Sequence, residues 1–218
     1  MARALNTEWR FIDSPSLSAQ ENMSIDASLL TGANLPVFRL YSWEPNCFSI
    51  GRFQKIEEIK DWHIYGKKWA QRITGGGLLL HGFDVSYTVV MPIAMLGKRS
   101  VKQSYEYICE FLLNFYKNLG LHPHWAKDIL PDSLSHSSFC QEGFEPYDII
   151  IEGKKIGGNA QKRTKDVILQ HGSIPIQNDP RAQAGYSLEA FGISLDIKKT
   201  KALLKKSFCD TYDIRSKS

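Results

Sequence analysis

The strongest chemical signal in the sequence is a run of three glycines, Gly75, Gly76 and Gly77, that follows a short apolar stretch. Three consecutive glycines remove every Cβ from the turn, so the backbone can take positive φ angles and approach a ligand closely. Successive amide N–H groups in such a turn can hold an anion or a carbonyl oxygen. Arg72 offers a charge at one edge of the turn and His81 a polar group at the other. A plain loop between strands is the alternative, because no known phosphate-binding or dinucleotide-binding glycine pattern is present.

A second segment, Gly153–Gln161, repeats the same ingredients, with Lys154 and Lys155 before a run of small residues. Side chains alternate along a strand, so one lysine of this pair is expected to turn away from bulk solvent. We assign that place to Lys155, which leads directly into the Gly-Gly-Asn-Ala turn. Lys154 is interpreted as solvated.

The composition fits one globular domain over residues 1–218, since 43% of the side chains are hydrophobic and 23% are charged. A net charge of +4 with scattered lysines argues against nucleic-acid binding. The densest basic patch lies in the predicted C-terminal helical tail, 197–218. We interpret this patch as the solvated face of a helix, with a docking surface for an acidic protein as the alternative. Its members are Lys198, Lys199, Lys201, Lys205 and Lys206.

Targeting signals and metal sites are not apparent in the sequence. The N-terminus shows no signal-peptide pattern, and no apolar run approaches the roughly 20 residues that span a bilayer, so we predict a cytoplasmic protein without membrane contact. The four cysteines, Cys47, Cys109, Cys140 and Cys209, are too far apart for a disulfide framework or a zinc site. His122, His124 and His136 lack a carboxylate or cysteine that would complete a metal site, so none is predicted.

The secondary-structure pattern places strands in the middle of the chain and helices around them. The clearest helix spans 100–119, where Ser100 and Gln103 form a capping box and Gly120 follows the last turn. Other helices are predicted over 19–30 and 197–208, and a hairpin turn at Gly153–Lys154. Strands are predicted over 37–41, 47–50, 69–73, 85–91, 147–152 and 167–175. This order predicts an α+β fold.

Taken together, these segments resemble the lipoate–protein ligase and octanoyltransferase family. The matching pieces occur in the family's order and cover most of residues 8–176; they are Glu21–Asp26, Trp43–Gln54, Arg72–His81, Gly153–Gln161 and Gln170–Ile174. The resemblance implies a single catalytic domain with a mixed central β-sheet flanked by helices. It also implies an acyl chain held between the two glycine-containing segments. The substrate-binding residues implied in this way are Arg72, Thr74, Gly75, Gly76, Gly77, His81, Gly158, Asn159 and Ala160.

The family contains two ways of activating the acyl group. A ligase joins a free carboxylic acid to a lysine amine and must first form an acyl-adenylate from ATP. A transferase starts from a thioester on acyl carrier protein and needs only a nucleophile, for which cysteine is well suited. Cys140 lies in a polar, loop-like stretch, and by resemblance it falls at the nucleophile position of the cysteine-type octanoyltransferases. We assign Cys140 as the acyl acceptor and Lys155 as the ammonium that lowers the pKa of its thiol.

The implied reaction needs no cofactor. It takes an octanoyl group from octanoyl-acyl carrier protein and delivers it to a lysine of a lipoyl-carrier protein. The glycine-cleavage H protein and the E2 subunit of 2-oxoacid dehydrogenases are the acceptors that the family implies.

Two other interpretations remain open. An ATP- and Mg-dependent lipoate–protein ligase is one, because Gly77 and Asn159 resemble the ligases and Lys155 could neutralise an adenylate phosphate. Gln71 also stands where the family usually has the first arginine of a pair. Against the ligase, little sequence follows Ser173 that could form the accessory C-terminal domain of many ligases. The other alternative is a non-catalytic acyl-binding module.

Overall fold

The structure is a computed structural model that describes residues 8–32, 35–129, 145–182 and 186–214. Its helices are α1 (Ala19–Gly32), α2 (Val101–Asn118), α3 (Ala126–Ile129) and α4 (Ile197–Tyr212). Its strands are β1 (Arg10–Leu17), β2 (Val37–Trp43), β3 (Cys47–Ile50), β4 (Lys68–Gln71), β5 (Leu79–His81), β6 (Asp84–Pro92), β7 (Pro123–Trp125), β8 (Ile149–Ile151), β9 (Lys154–Lys155), β10 (Gly158–Arg163) and β11 (Val167–Pro175).

A five-stranded sheet in the order β1-β2-β6-β11-β10 forms the centre of the fold. β1 pairs with β2 in parallel, whereas the other neighbours pair antiparallel, so the sheet is mixed. Two three-stranded sheets, β4-β3-β5 and β7-β8-β9, accompany it. The predicted α+β fold with a mixed central sheet flanked by helices is therefore confirmed.

One face of the central sheet packs against α2 and α4. Side chains alternate along β6, and this face receives Val85, Tyr87, Val89 and Met91, all within the main hydrophobic core. The ring of Phe208 on α4 stacks on Phe38 with centroids 4.0 Å apart. Burial of these large apolar side chains is what fixes both helices on the sheet.

The opposite face of the sheet is polar, although it is equally buried. There β6 presents Asp84, Ser86 and Thr88, and β11 presents His171 and Ser173. α1 packs on this face, and His81 at the end of β5 stacks on Trp43 of β2 there. Buried polar groups cost free energy unless they are hydrogen-bonded, so a connected network is expected on this side.

Several predicted elements match and several differ. α2 begins at Val101 with the predicted capping box, in which the Ser100 hydroxyl accepts from the Gln103 amide. β1, β5, β7 and β10 were missed, and the segment predicted as a Gly-Gly-Asn-Ala turn belongs to β10 from Gly158 onward. The hairpin turn is formed by Glu152 and Gly153, both at positive φ, so the prediction was wrong by one residue.

The basic patch is not uniformly solvated, which corrects the interpretation from sequence. Lys201 is buried, and its Nζ lies 2.7 Å from Asp13 Oδ1 and 2.6 Å from the Ser14 carbonyl oxygen. Lys205 Nζ lies over the Phe11 ring at 4.9 Å. These two lysines fasten α4 to β1, while Lys198 and Lys199 are exposed.

In the part of the chain that the structure describes, no helix is both long enough and apolar enough to cross a bilayer. The same residues contain no cluster of three or more potential metal ligands. His136 lies outside the described residues.

Candidate functional site

A narrow pocket opens between the polar face of the central sheet and the β4-β3-β5 sheet. Its enclosed interior is only about 20 Å³, and the space reaches about 340 Å³ when the open solvent at its mouth is counted. α1, β2, β5, β6, β10, β11 and the segment after β4 all contribute to its wall. The lining residues are Met23, Tyr41, Trp43, Arg72, Leu79, His81, Ser86, Gly158, Asn159, Ala160, His171 and Gly172.

Arg72 organises the glycine turn from inside. Its guanidinium is buried and donates to the carbonyl oxygens of Gly77 (2.6 Å) and Gly75 (3.4 Å). It also donates to the Ser49 hydroxyl at 2.8 Å. The turn therefore directs carbonyl oxygens at Arg72, and the charge predicted at the edge of the turn is buried against it.

Close packing explains why the turn needs glycine. Gly76 has φ +96°, in the region that favours glycine. A Cβ added at Gly51 would lie 1.8 Å from the Gly76 carbonyl oxygen, so no side chain fits there. The three glycines do not line the pocket; the carbonyl oxygens of Gly75 and Gly77 hold Arg72, which does.

His81 is held by partners on both ring nitrogens. The Asp84 carboxylate can only accept, so Nδ1 donates to Asp84 Oδ2 (2.9 Å) and Nε2 accepts the Ser49 hydroxyl (2.8 Å). The ring also stacks on Trp43 with centroids 3.7 Å apart. Burial lowers the pKa of His81, against the raising effect of the Asp84 carboxylate. The imidazole is therefore neutral, in a single tautomer.

The carboxylate behind His81 is ionised. Burial by itself would raise the pKa of Asp84, but the His81 ring, the Ser173 hydroxyl and the Gly82 amide together hold that pKa below its usual value. The Ser173 hydroxyl donates to Asp84 Oδ2 at 2.6 Å. Asp84 is thus a fixed acceptor that sets the orientation of the ring.

His171 forms a second relay, that is, a hydroxyl–imidazole–carboxylate chain like Ser49–His81–Asp84. Nδ1 lies 2.9 Å from Asp26 Oδ2, and Nε2 lies 2.7 Å from the Thr74 hydroxyl. Asp26 also pairs with Arg39 at 2.7 Å, and both side chains are fully buried. Although burial opposes it, the hydrogen bond from His171 and the charges around Asp26 lower the pKa of that carboxyl.

The Ser49–His81–Asp84 arrangement has the connectivity of a hydrolase triad but not its accessibility. Ser49 is fully buried, and its Oγ accepts a hydrogen bond from Arg72. A triad serine must reach a substrate carbonyl. The two relays therefore satisfy the buried polar groups of this face among themselves. As a consequence, the pocket presents mainly apolar surface.

The wall formed by β10 follows strand alternation. Gly158 and Ala160 pair with Ser173 and His171 and share their face. Asn159 turns its side chain to the opposite face, where Oδ1 accepts from the Tyr87 hydroxyl at 2.8 Å. Asn159 therefore lines the pocket with its backbone and not with its side chain.

Lys155 is the buried lysine of its pair, as predicted. Its Nζ lies 2.6 Å from Asp148 Oδ2, and both side chains are almost completely buried. Burial raises the pKa of Asp148, even though the Lys155 ammonium acts to lower it. Lys154 is half-buried, with its Nζ 4.7 Å from the centre of the Tyr186 ring.

The comparison with known protein families agrees with this architecture. Residues 18–209 match the model of the lipoyl protein ligase A/B catalytic domain, which covers most of the chain. The chain belongs to this family. The match extends into α4, beyond the end of the 8–176 range that carries the sequence motifs.

Several curated relatives of this lipoyl protein ligase A/B domain are named octanoyltransferase LipM. The protein from Macrococcus caseolyticus is 37% identical over 185 residues, covering 78% of this chain and 66% of the relative. The protein from Bacillus subtilis (strain 168) is 36% identical over 190 residues, with the same coverage. The match thus spans just under two thirds of these relatives.

Solved structures share the fold at lower identity. A lipoate-protein ligase A bound with ATP superposes with a TM-score of 0.78 and 21% identity, covering 97% of this chain and 88% of the other. A bi-partite lipoate protein ligase from Thermoplasma acidophilum gives a TM-score of 0.73 and 21% identity, covering 98% and 87%. At these identities the comparisons establish the lipoyl protein ligase fold alone.

The pocket brings together only some of the site residues predicted for this family member. Arg72, His81, Gly158, Asn159 and Ala160 line it, and Thr74 reaches it through His171. Cys140 lies outside the described residues. Sequence reasoning assigned no role to Ser49, Asp26, Asp84 and His171. Ser49, Asp26 and His171 nevertheless lie in the segments that carry the family resemblance, which is the signal that could have identified them.

The described cysteines do not have the character of nucleophiles. Cys47 and Cys109 are buried, and burial raises the pKa of each to about 12. Burial also raises the pKa of the half-buried Cys209. Because the thiolate is the reactive form, none of these residues is poised to attack at neutral pH.

Proposed function

We propose that this chain is an octanoyltransferase of protein lipoylation, acting through a thioester on Cys140. The observation that carries the proposal is the narrow pocket with apolar walls, whose polar groups are already bonded to one another. Such a pocket suits a saturated acyl chain, because burial of methylene groups is favourable and no buried donor is left unpaired. The relatives named octanoyltransferase LipM, at 36–37% identity, support the same activity.

The reaction consists of two acyl transfers. The Cys140 thiolate attacks the thioester carbonyl of octanoyl-acyl carrier protein, the C–S bond to the carrier breaks, and the carrier leaves as its thiolate, which takes a proton from water. A lysine amine of the acceptor then attacks the acyl-enzyme, Cys140 leaves as the thiolate, and the amine loses a proton. Thioester exchange is nearly balanced in energy and amide formation is downhill. The reaction therefore requires neither ATP nor Mg.

Lys155 is proposed to lower the pKa of the Cys140 thiol. A nearby ammonium favours the thiolate, whose unperturbed pKa is about 8.5. Asp148 holds the Lys155 ammonium in place at 2.6 Å. Glu145 is the first residue that the structure describes after Cys140, and its backbone amide donates to the same Asp148 carboxylate at 2.7 Å. Cys140 and Glu145 are five Cα–Cα steps apart along the chain and can be separated by no more than about 18 Å, which is compatible with the pairing.

The acyl chain is proposed to lie in the pocket, with its wall formed by the substrate-binding residues Arg72, His81, Gly158, Asn159 and Ala160. Thr74, Gly75, Gly76 and Gly77 would act by holding Arg72 and His171 in place. Acceptors are proposed to be lipoyl-carrier proteins, such as the glycine-cleavage H protein or the 2-oxoacid dehydrogenase E2 subunit. The proposed location is the cytoplasm, in keeping with free thiols at Cys47, Cys109 and Cys209.

Trapping of the acyl-enzyme tests the mechanism. Incubation with octanoyl carrier protein, without ATP, is expected to add one octanoyl group by intact mass, and peptide mapping should place it on Cys140. The adduct should be absent in Cys140→Ser and present in Cys209→Ser, the matched control. Lys155→Gln should form the adduct more slowly, with the pH–rate profile displaced to higher pH.

Other outcomes identify the alternatives. Transfer of free lipoate or octanoate that requires ATP, with no adduct in its absence, would establish the ligase. Binding of octanoate without either reaction would establish an acyl-binding module. Full transfer by Cys140→Ser would refute the thioester mechanism.

A further inference from the structure

The turn that follows β3 carries an exposed aromatic side chain on a fixed base. Phe53 is 85% exposed, the largest fraction among the large hydrophobic side chains that the structure describes. The Arg52 amide donates to the Thr74 carbonyl oxygen at 2.8 Å, and the Gln54 amide donates to the Gly51 carbonyl oxygen at 3.0 Å. The Gly51 amide in turn donates to the Gln54 side chain at 3.0 Å. The turn is therefore held rigidly although its tip is in water.

The Gln71 side chain also supports this turn, which gives this departure from the family's usual arginine a structural role. Its Nε2 donates to the carbonyl oxygens of Arg52 (3.1 Å) and Gln54 (2.9 Å). An arginine at this position would add a charge, whereas glutamine ties the end of β4 to the turn. An exposed phenylalanine on a loop loses little entropy on binding when the loop is already ordered.

The turn lies close to the wall of the acyl pocket. The Phe53 ring is 4.0 Å from the point where a Cβ of Gly75 would stand. The Gly75 carbonyl oxygen accepts from Arg72, which lines the pocket. Phe53 is thus separated from the pocket wall by one residue of the glycine turn.

Arg52 provides a charge next to the exposed ring. Its guanidinium carbon lies 5.9 Å from the Phe53 ring centre, and the side chain is exposed. Within the described ranges it forms no ion pair, whereas the neighbouring cations Lys55 and Lys68 are paired with Glu58 and Glu44. A guanidinium matches the geometry of carboxylate and phosphate groups.

We infer that Arg52 and Phe53 form the docking point for the acyl-donor carrier protein. This inference rests on the proposed octanoyltransferase function. The partner is a carrier with an acidic surface: a carboxylate or phosphate group pairs with Arg52 and an apolar side chain covers Phe53. Few residues carry most of an interface's energy, and aromatic and arginine side chains are prominent among them. Charge complementarity would also accelerate the encounter.

Two donors distinguish docking from chemistry. Octanoyl carrier protein can use the docking point, whereas octanoyl-pantetheine, a small thioester, can only enter the pocket. In Phe53→Ala, kcat/KM for acylation is expected to fall about tenfold or more with the carrier protein and to stay within about twofold with octanoyl-pantetheine. Arg52→Glu should show the same selectivity, with a larger effect at low salt. Val101→Ala, at a residue 57% exposed on α2, is the matched control and should change neither rate.

Direct binding separates this inference from the proposed function. Titration of the wild-type protein with un-acylated carrier protein should give a Kd that Phe53→Ala raises about tenfold and Val101→Ala leaves unchanged. Equal losses with both donors, unchanged kinetics in Phe53→Ala, or no binding by the wild type would each overturn the docking point. A defect confined to transfer from the acyl-enzyme to the acceptor would also overturn it, because it would assign the turn to the acceptor. Carrier binding that depends on Phe53, without any acylation, would retain the docking point and refute the transferase.

Discussion

At the scale of single residues, the hydrogen bonds of two imidazoles determine how polar the pocket wall is. His81 and His171 each have a carboxylate on Nδ1 and a hydroxyl on Nε2. A free histidine beside an acyl chain would present an unpaired polar atom, which is costly in an apolar pocket. The paired hydrogen bonds remove that cost and fix both rings. The pocket can therefore contain polar residue types and still accommodate a hydrocarbon.

The neutral state of His81 gives a pH dependence of stability. The folded protein lowers the pKa of this ring, whereas the unfolded chain protonates it near 6.5. Its contribution is therefore complete above about pH 6.5 and is lost as the pH falls below that value. The Asp26 and Asp84 carboxyls, with lowered pKa values, lose their contribution only below about pH 4.

Urea unfolding between pH 7.5 and 5 tests this assignment. The free energy of unfolding of the wild type should decrease over this interval by more than that of His81→Asn, which keeps a donor toward Asp84 but does not titrate. The two slopes should differ by up to about 1.4 kcal/mol per pH unit. His63→Asn, at an exposed position, should follow the wild type. Parallel curves for the wild type and His81→Asn would show that the ring is not held neutral.

At the scale of elements, prediction from sequence succeeded where local signals were complete. α2 has its capping box and its apolar stripe in one continuous segment, and both were recognised. β1 was missed because Pro15 and polar residues interrupt it; the register of its pairing with β2 shifts between Asp13 and Ser16. β5 has only three residues after the glycine turn, and it exists because it pairs with β3.

The packing of the glycine turn against β3 predicts different outcomes for two neighbouring glycines. Gly51→Ala places a Cβ 1.8 Å from the Gly76 carbonyl oxygen, so the turn must move. Gly75→Ala meets only an ordinary contact with Phe53 at 4.0 Å. We expect Gly51→Ala to lower the free energy of unfolding by about 2–3 kcal/mol or more, and Gly75→Ala to change it by less than about 1 kcal/mol.

Denaturant unfolding of the two variants measures this difference directly. Crystal structures should show the Gly75–Gly77 turn displaced in Gly51→Ala and unmoved in Gly75→Ala. Similar losses in the two variants would mean that the turn is strained in both places, and that close packing on Gly51 is not what requires glycine.

At the scale of the whole molecule, the central sheet separates a hydrophobic core from the site. The packing of α1 and of the segment after β4 on this sheet brings Asp26 to His171 across 145 residues of sequence, and Thr74 to His171 across 97. Periodicity along a chain contains no information about such separations. The family resemblance named the segments, but only the pairing of β6 with β11 shows why Asp84, His171 and Ser173 share one face, which α1 covers with Asp26.

Because both faces belong to one sheet, a defect in the core should reach the pocket. Phe208 on α4 is buried among Phe38, Phe111 and Tyr212, and Phe208→Ala is expected to cost about 3–5 kcal/mol. That is a large part of the roughly 5–15 kcal/mol that stabilises a domain.

In urea, the unfolding midpoints of Phe208→Ala measured by far-UV circular dichroism, tryptophan fluorescence and octanoate binding should all shift together to lower urea concentration. Lys198→Ala, at an exposed residue of the same helix, should leave all three in place. Octanoate binding that persists in Phe208→Ala beyond the loss of α-helical signal would show that the pocket face folds independently of α4, contrary to a single cooperative unit.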